Sequence, residues 1–276
     1  MSRSSGDGPG PLAEGEALAS DHVFESGAHE LTLEVERGAR IVVERGARFA
    51  RSVASPTGLA LGAGALRATL IPDGNSGRSP LRIATPCAIV ELGASGDVFV
   101  ATLADGSSFI AVLQGAADVF RGAVDARGRI ASVRLVAGRS LILGKAAAAE
   151  SLEGPSTLEE ARAIAARLPA QGGRLGGERA ALSETLSSAV RAFEMESSRG
   201  SELRRSHRAA VAAGGPEALE LQSRIVSHAQ ALLRARRAVK ASFERAEALR
   251  AATEGSDEWL HALRSEAAAA LRLPTR

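Results

Sequence analysis

The sequence has few of the residues that most often build catalytic, metal or stacking sites. It holds a single cysteine, Cys87, so no disulfide can form within the chain and no cysteine-based zinc site can be built. Aromatic residues make up 3% of the 276 residues and tyrosine is absent, which leaves few surfaces on which a base or sugar could stack. Cys87 follows a Thr-Pro pair in an apolar run, and we expect a small core side chain rather than a reactive thiol.

Long apolar runs and a strong charge of one sign are also missing. No run of about 18 apolar residues is present, so we expect no membrane span in this chain. The formal net charge is +2, which is too small to direct the chain towards nucleic acid. The N-terminal residues 1–16 lack the apolar core of a secretory signal, which indicates the cytoplasm unless an upstream export segment is missing.

No motif for catalysis or metal binding is evident. The histidines show neither HxxxH nor HExxH spacing, the glycines around Gly62 lack the lysine and helix of a nucleotide loop, and no GxSxG elbow occurs. We therefore expect no catalytic residue, no cofactor and no metal, and we interpret the protein as a non-enzyme. The histidines are expected to be ordinary surface or core residues: His22, His29, His207, His228 and His261.

Residues 15–144 show the pattern of a mainly β domain with about a dozen short strands and no helix. Leu31, Leu33 and Val35 alternate with polar residues, which is typical of a half-buried strand. The stretch 81–119 reads as three strands, with Asp105-Gly106 as a two-residue hairpin turn and glycines ending strands at 62, 64 and 115. Both faces of these strands are apolar, which indicates burial between two layers. Residues 1–14, rich in Gly, Ser and Pro, are predicted to be a disordered tail.

A short internal repeat leaves the type of β architecture open. The pentapeptide ERGAR begins at Glu36 and again at Glu44, eight residues later. One strand and one glycine turn per eight residues is the rhythm of a meander, a sandwich or a β-solenoid. The alternative reading is therefore a self-assembling β-solenoid structural protein.

Residues 145–276 are predicted to be an all-α, coiled-coil-like region. A helix-prone segment is expected at 146–149 and a helix start at Pro155-Ser156-Thr157. Further helices are expected at 181–196, at 202–213, from Pro216 to about Thr253 and from Asp257 to about Leu271, with a flexible glycine-rich link at 169–177. The helix at about 216–253 would exceed 50 Å at about 1.5 Å per residue. Its apolar seam is the candidate contact for a protein partner or for a homo-oligomer. The seam residues are Leu221, Ile225, Leu232, Val239, Phe243 and Leu249.

The β part resembles the FecR-type domain of bacterial envelope and signalling proteins over residues 12–143. The segment LASDHVFESGAHELTLEVERGARIVVERGARF is similar to the opening of that family, and GALRATL is similar to its next strand. IATPCAIVELGASGDVFVATLADGSSFIAVLQGAADV resembles its core, and VRLVAGRSLIL resembles its closing strand. Asp97 stands where the family often has threonine.

The resemblance implies a β-rich, non-enzymatic module placed in the periplasm or cell envelope. Members of the family transmit signals to sigma-factor systems or act as envelope binding modules. The expected function is therefore binding, signalling or scaffolding, with the β domain contacting a ligand or partner and the helices serving association. This chain departs from the family in its helical C-terminal region, which stands in place of the usual partner-contacting tail.

Overall fold

A computed structural model describes residues 2–4, 10–11, 13–19, 22–35, 38–71, 80–93, 95–124, 130–144, 150–168, 176–253 and 258–271. The described residues form fourteen strands followed by four helices. The strands are β1 (Ser2–Ser4), β2 (Gly10–Pro11), β3 (Val23–Glu25), β4 (Leu31–Val35), β5 (Ala39–Val43), β6 (Arg48–Arg51), β7 (Gly58–Leu70), β8 (Leu81–Ala84), β9 (Ile89–Leu92), β10 (Gly96–Thr102), β11 (Ser108–Val124), β12 (Ile130–Val136), β13 (Arg139–Leu143) and β14 (Glu150–Glu153). The helices are α1 (Leu158–Arg167), α2 (Gly176–Ala212), α3 (Glu217–Ala252) and α4 (Glu258–Leu271).

The strands form two sheets that share β7 and β11. The first sheet has the order β2-β1-β3-β6-β7-β8-β9-β11-β12, and the second has the order β4-β5-β7-β10-β11-β13-β14. One apolar core takes residues from both sheets, among them Phe49 and Ile83 from the first and Ile41 and Val100 from the second. This arrangement confirms a β-rich N-terminal part that precedes a helical part.

Glycines bend the two long strands instead of ending them. β7 pairs with β6 before Gly64 and with β10 from Gly64 onwards. β11 pairs with β13 before Gly115 and with β12 after it. Gly64 and Gly115 have φ values of +81° and +74°, a region that costs glycine little. The predicted strand breaks at these positions are wrong, because each glycine lets one strand pass from one sheet to the other.

Among the described pairs, every strand pair except β7–β8 is antiparallel. Parallel stacking of successive coils is the mark of a parallel β-helix, so the pairing of the described strands is not that of a parallel β-helix. The hairpin at Asp105-Gly106 is present. Its turn is longer than two residues, because Leu103 N–H donates to the Ser107 carbonyl at 2.8 Å and Gly106 takes φ +82°.

Two predicted boundaries differ from the structure. β1 and β2 lie within the tail predicted to be disordered, and β1 pairs with β3; the remaining residues of 1–12 lie outside the described set. β14 lies beyond residue 144, in the region predicted to be all-α, and extends the second sheet by pairing with β13. The predicted helix-prone segment 146–149 lies outside the described residues.

Helices cover the outer faces of both sheets, which explains why the strands are apolar on both sides. α1 packs Ala161 and its neighbours against Phe99 and Phe109 of the second sheet. It begins where predicted, with Thr157 as N-cap accepting the Glu160 N–H at 3.2 Å. On the first sheet, Ala241 and Ala248 of α3 lie on Ala50, Ala60, Ala84 and Ile89. The helical part is thus packed against the β part.

The two helices predicted at 181–196 and 202–213 are one helix, α2. It is 37 residues long and begins at Gly176, inside the predicted flexible link, whereas residues 169–175 lie outside the described set. Gly200 does not break α2. Its hydrogen faces the imidazole of His228 on α3, where an added Cβ would lie 2.6 Å from Nε2. A close helix–helix approach, rather than a turn, is therefore the reason for this glycine.

Candidate protein-docking surface

α2 and α3 form a long antiparallel hairpin whose turn is closed by glycine. Gly214 has φ +65°, and Gly215 N–H donates to the Ala210 carbonyl at 3.1 Å. Each helix spans more than 50 Å at about 1.5 Å per residue. We call residues 194–234 the distal half of the hairpin. The remainder of α3, residues 235–252, is the proximal half.

The proximal half of α3 lies in an apolar core of its own. Val239 and Phe243, both fully buried, pack with Leu186 of α2 and with Leu260 and Leu263 of α4. The last turn of α3 crosses β7 at Gly62, where an added Cβ would lie 2.2 Å from the carbonyl carbon of Ala251. The absence of a side chain at Gly62 therefore sets how closely helix and sheet approach.

A buried ion-pair cluster joins α3 to the first sheet. The Arg82 guanidinium on β8 donates to both carboxylate oxygens of Glu244, at 2.7–3.2 Å, and also contacts Glu91 on β9. The Glu244 side chain is 1% exposed. Burial lowers the pKa of Arg82, but its hydrogen bonds to Glu244, that carboxylate's charge and Glu91 outweigh burial and leave the pKa above its usual value. Burial lowers the pKa of nearby Lys240.

Glu247, one turn further along α3, is a second buried carboxyl at this junction. Its oxygens accept the Ser52 hydroxyl at 2.6 Å and the Val53 N–H at 2.7 Å. These two hydrogen bonds favour the charged form. Burial outweighs them and raises the pKa of Glu247 to about 8.

The pKa of Glu247 predicts that stability falls as pH rises. Between about pH 4.5 and 8 the folded protein keeps a proton that the unfolded chain releases, so the free energy of unfolding declines by up to about 1.4 kcal/mol per pH unit and levels off above pH 8. Glu247→Gln should remove this slope and be more stable than the wild type at pH 8. Urea unfolding at several pH values measures the slope. Glu258→Gln, at an exposed position on α4, is the control. Parallel profiles for Glu247→Gln and the wild type would contradict the prediction.

The six residues of the predicted partner-contact seam lie in two different environments. Val239, Phe243 and Leu249 are each 0% exposed inside the chain's own core. Leu221, Ile225 and Leu232 are half-buried in the distal half, where α3 packs against α2. In this conformation the seam serves contacts within the chain.

A different face of the distal half carries exposed apolar side chains that the sequence analysis missed. Leu219, Val226 and Leu233 are 77%, 60% and 55% exposed and follow one another at seven-residue steps. Such spacing places them on one side of α3 as a stripe. The only signal in the sequence is this heptad spacing, which the stronger inner seam beside it obscures. We call these three residues the outer stripe.

Most of the exposed large apolar side chains among the described residues are on this hairpin. Met195 and Val211 on α2 are 69% and 56% exposed. Outside the hairpin, Ile71 and Val136 are also more than half exposed. Arg204, Arg205 and Arg208 form an exposed basic cluster on α2.

The remaining residues named in the sequence analysis are Asp97, Cys87 and the five histidines. Asp97 accepts hydrogen bonds from the Arg67 guanidinium on β7, the shortest at 2.5 Å. Cys87 is half-buried against the core, with its sulfur 3.1 Å from the Gly106 carbonyl. His228 is 8% exposed, with Nδ1 3.0 Å from a carboxylate oxygen of Glu196. His29 and His261 are exposed, and His22 and His207 are partly so.

Comparisons with known proteins yield a distant structural likeness. No protein-family model matches the sequence, and no curated protein matches it. Two crystal structures of a protein from Parabacteroides distasonis ATCC 8503, described as a "putative anti-sigma factor", superimpose with a TM-score of 0.39 at 13% and 12% identity. Each match covers 49% of this chain, and this chain spans 60% of those proteins' chains. In the described part of the chain, no helix combines the length and apolar character needed to cross a bilayer.

Proposed function

We propose that this protein is a non-enzymatic binding and signalling module of the bacterial envelope, with a FecR-like β part that contacts a ligand or partner and a helical hairpin that docks a protein. The observation that carries the proposal is the outer stripe. Three large apolar side chains stand more than half exposed on a helix that already packs against α2 along another face. Exposed apolar surface concentrated in one place marks interaction sites on soluble proteins.

The form of the stripe indicates a helical partner. One apolar residue every seven positions matches the repeat of a second helix lying along α3. Full burial of a leucine or valine side chain contributes about 1.5–3 kcal/mol, so covering all three residues supplies part of the free energy of a reversible protein complex. If the partner helix belongs to a second copy of this chain, the complex is a homo-oligomer.

Site-specific crosslinking in the native cell tests the proposal. A photoreactive amino acid replaces Val226, and the control replaces Val136, which is 51% exposed on β12. We expect an ultraviolet-dependent adduct at position 226 and none at position 136. An adduct with twice the mass of the 28.4 kDa chain would indicate self-association, and any other adduct identifies a partner protein by mass spectrometry.

The complex is then reconstituted from purified components with stripe variants. Leu219→Asp/Val226→Asp should weaken binding by at least about 100-fold, because two anchors are lost from the interface. The matched double variant Ile71→Asp/Val136→Asp changes exposed apolar residues elsewhere and should bind as the wild type does. Absence of an adduct at position 226, or equal binding by both double variants, would refute docking on the hairpin.

A further inference from the structure

β4 is an edge strand of the second sheet with an open groove along its free side. Among the described residues β4 pairs only with β5, so one of its two edges has no strand beside it. A groove of about 770 Å³ runs along this edge. Its lining includes the consecutive residues Thr32, Leu33, Glu34 and Val35.

That lining shows which part of β4 the groove reaches. Consecutive residues of a strand point to opposite faces of the sheet. A cavity lying on one face would touch only alternate residues, whereas this groove touches four in a row. It therefore faces the backbone edge of β4, where the outward N–H and C=O groups have no strand partner among the described residues. Such an edge is a template for a further strand.

A second stretch of main chain forms the opposite wall. Residues 14–18 line the groove consecutively, and Leu18 packs against the core. This wall is fixed to β6, since the Arg51 guanidinium donates to the Leu18 carbonyl at 3.4 Å. The groove follows four residues of β4, about 14 Å at about 3.4 Å per residue, which suits an extended peptide of at least four residues.

The charge of the groove selects among extended peptides. Glu14, Glu16 and Glu34 line it, and Arg51 is the basic residue among its lining residues. Leu33 and Val35, half-buried on the core side of β4, alternate with exposed Thr32 and Glu34. A strand added here meets an apolar surface on one side and carboxylates on the other. A second copy pairing through its own β4 would bring another Glu34 into this acidic groove, so like charges oppose that occupant.

We propose that the groove beside β4 binds an extended peptide in which apolar and basic residues alternate, and that this peptide adds to β4 as a further strand. The inference rests on the proposed function, because it names the class of ligand that the β part takes. Backbone hydrogen bonds to β4 supply affinity. The alternating side chains supply specificity, with apolar groups beside Leu33 and Val35 and basic groups beside Glu34.

Binding of a defined probe to the purified full chain tests this proposal. The probe is a fluorescein-labelled heptapeptide of alternating lysine and valine, measured by fluorescence anisotropy at low salt. Three comparison peptides are used. One has the same residues with the valines grouped together, and two keep the alternating sequence but carry N-methyl groups on alternate amides, in the two possible phases. We expect the alternating peptide to bind, and the grouped peptide and at least one N-methylated phase to bind about tenfold more weakly or worse.

Protein variants locate the site. Glu34→Lys should weaken binding of the probe by about tenfold or more, since it replaces an attraction by a repulsion. Glu220→Lys makes the same change at an exposed position on α3 and should bind as the wild type does. Hydrogen exchange of the 31–35 amides should slow when the probe is bound.

Three results would overturn strand addition at β4: no binding of the alternating peptide, equal binding of the grouped or of both N-methylated peptides, or no effect of Glu34→Lys. The hairpin double variant Leu219→Asp/Val226→Asp should bind the probe normally. If the probe fails to bind, the crosslinking result at Val226 is not affected. If no crosslink forms at Val226, the peptide-binding result is not affected.

Discussion

Gly62→Ala should detach the end of α3 from the first sheet and lower the free energy of unfolding by about 3 kcal/mol or more. An added Cβ would lie 2.2 Å from both the carbonyl carbon of Ala251 and the nitrogen of Ala252. Both contacts are backbone atoms, so no side-chain rotation can relieve them. Gly62 lies at a register shift of β7, which is paired with β6 on either side of it, at Leu61 and at Ala63, so the strand is held in place next to the clash.

Urea unfolding measures the loss, and hydrogen exchange at 241–252 shows whether the helix end has separated from the sheet. Gly93→Ala is the matched control, since a Cβ there meets nothing within 4 Å and its backbone is outside the left-handed region. That control should stay within about 0.5 kcal/mol of the wild type. Equal stability of the two variants would mean that α3 does not lie as close to β7 as the structure shows.

The glycines also show how far the sequence predicts this fold. The alternation at Leu31–Val35 and the hairpin at Asp105-Gly106 are predicted correctly, apart from the length of the turn, because both depend on near neighbours in the chain. Local rules predict breaks at Gly64 and Gly115 and a gap between helices at 197–201, which contains Gly200, yet each glycine lies inside a continuous element. Their surroundings come from residues distant in sequence: Ala47 beside Gly64, and His228 beside Gly200. Single-sequence periodicity contains no information about such contacts.

The same limit applies to the candidate docking surface. The inner seam of α3 is evident from its three- and four-residue steps, and the structure uses part of it for the chain's own core. The sequence cannot show that Val239 and Phe243 are already covered by α4 while Val226 is left exposed. Distinguishing a core face from a docking face requires knowing what packs on each, which is a property of the tertiary structure. The acidic groove likewise depends on residues 14–18 returning beside β4.

Replacing Arg82 by methionine should lower the free energy of unfolding more than removing any other charged side chain at the junction of α3 and the first sheet. The variant keeps a side chain of similar length but leaves the Glu244 carboxylate, 1% exposed, without its guanidinium partner. Lys240, with Nζ 3.8 Å from the carboxylate, is too distant to replace three hydrogen bonds. Breaking a buried pair by removing one partner costs about 3–5 kcal/mol, most of it the cost of the charge left behind.

Two comparisons separate this effect from a general loss of packing. Arg162→Met removes a guanidinium of α1 that is 37% exposed and paired with Glu30 and Glu44, and it should cost about 1 kcal/mol or less. Arg82→Met/Glu244→Leu removes both buried charges and should recover more than half of the loss, since an apolar pair can replace a buried ion pair at little cost. Urea unfolding of the wild type, Arg82→Met, Glu244→Leu and the double variant at one pH gives the coupling free energy. If the double variant were as unstable as the sum of its single changes, the ion pair would not be what holds α3 to β8.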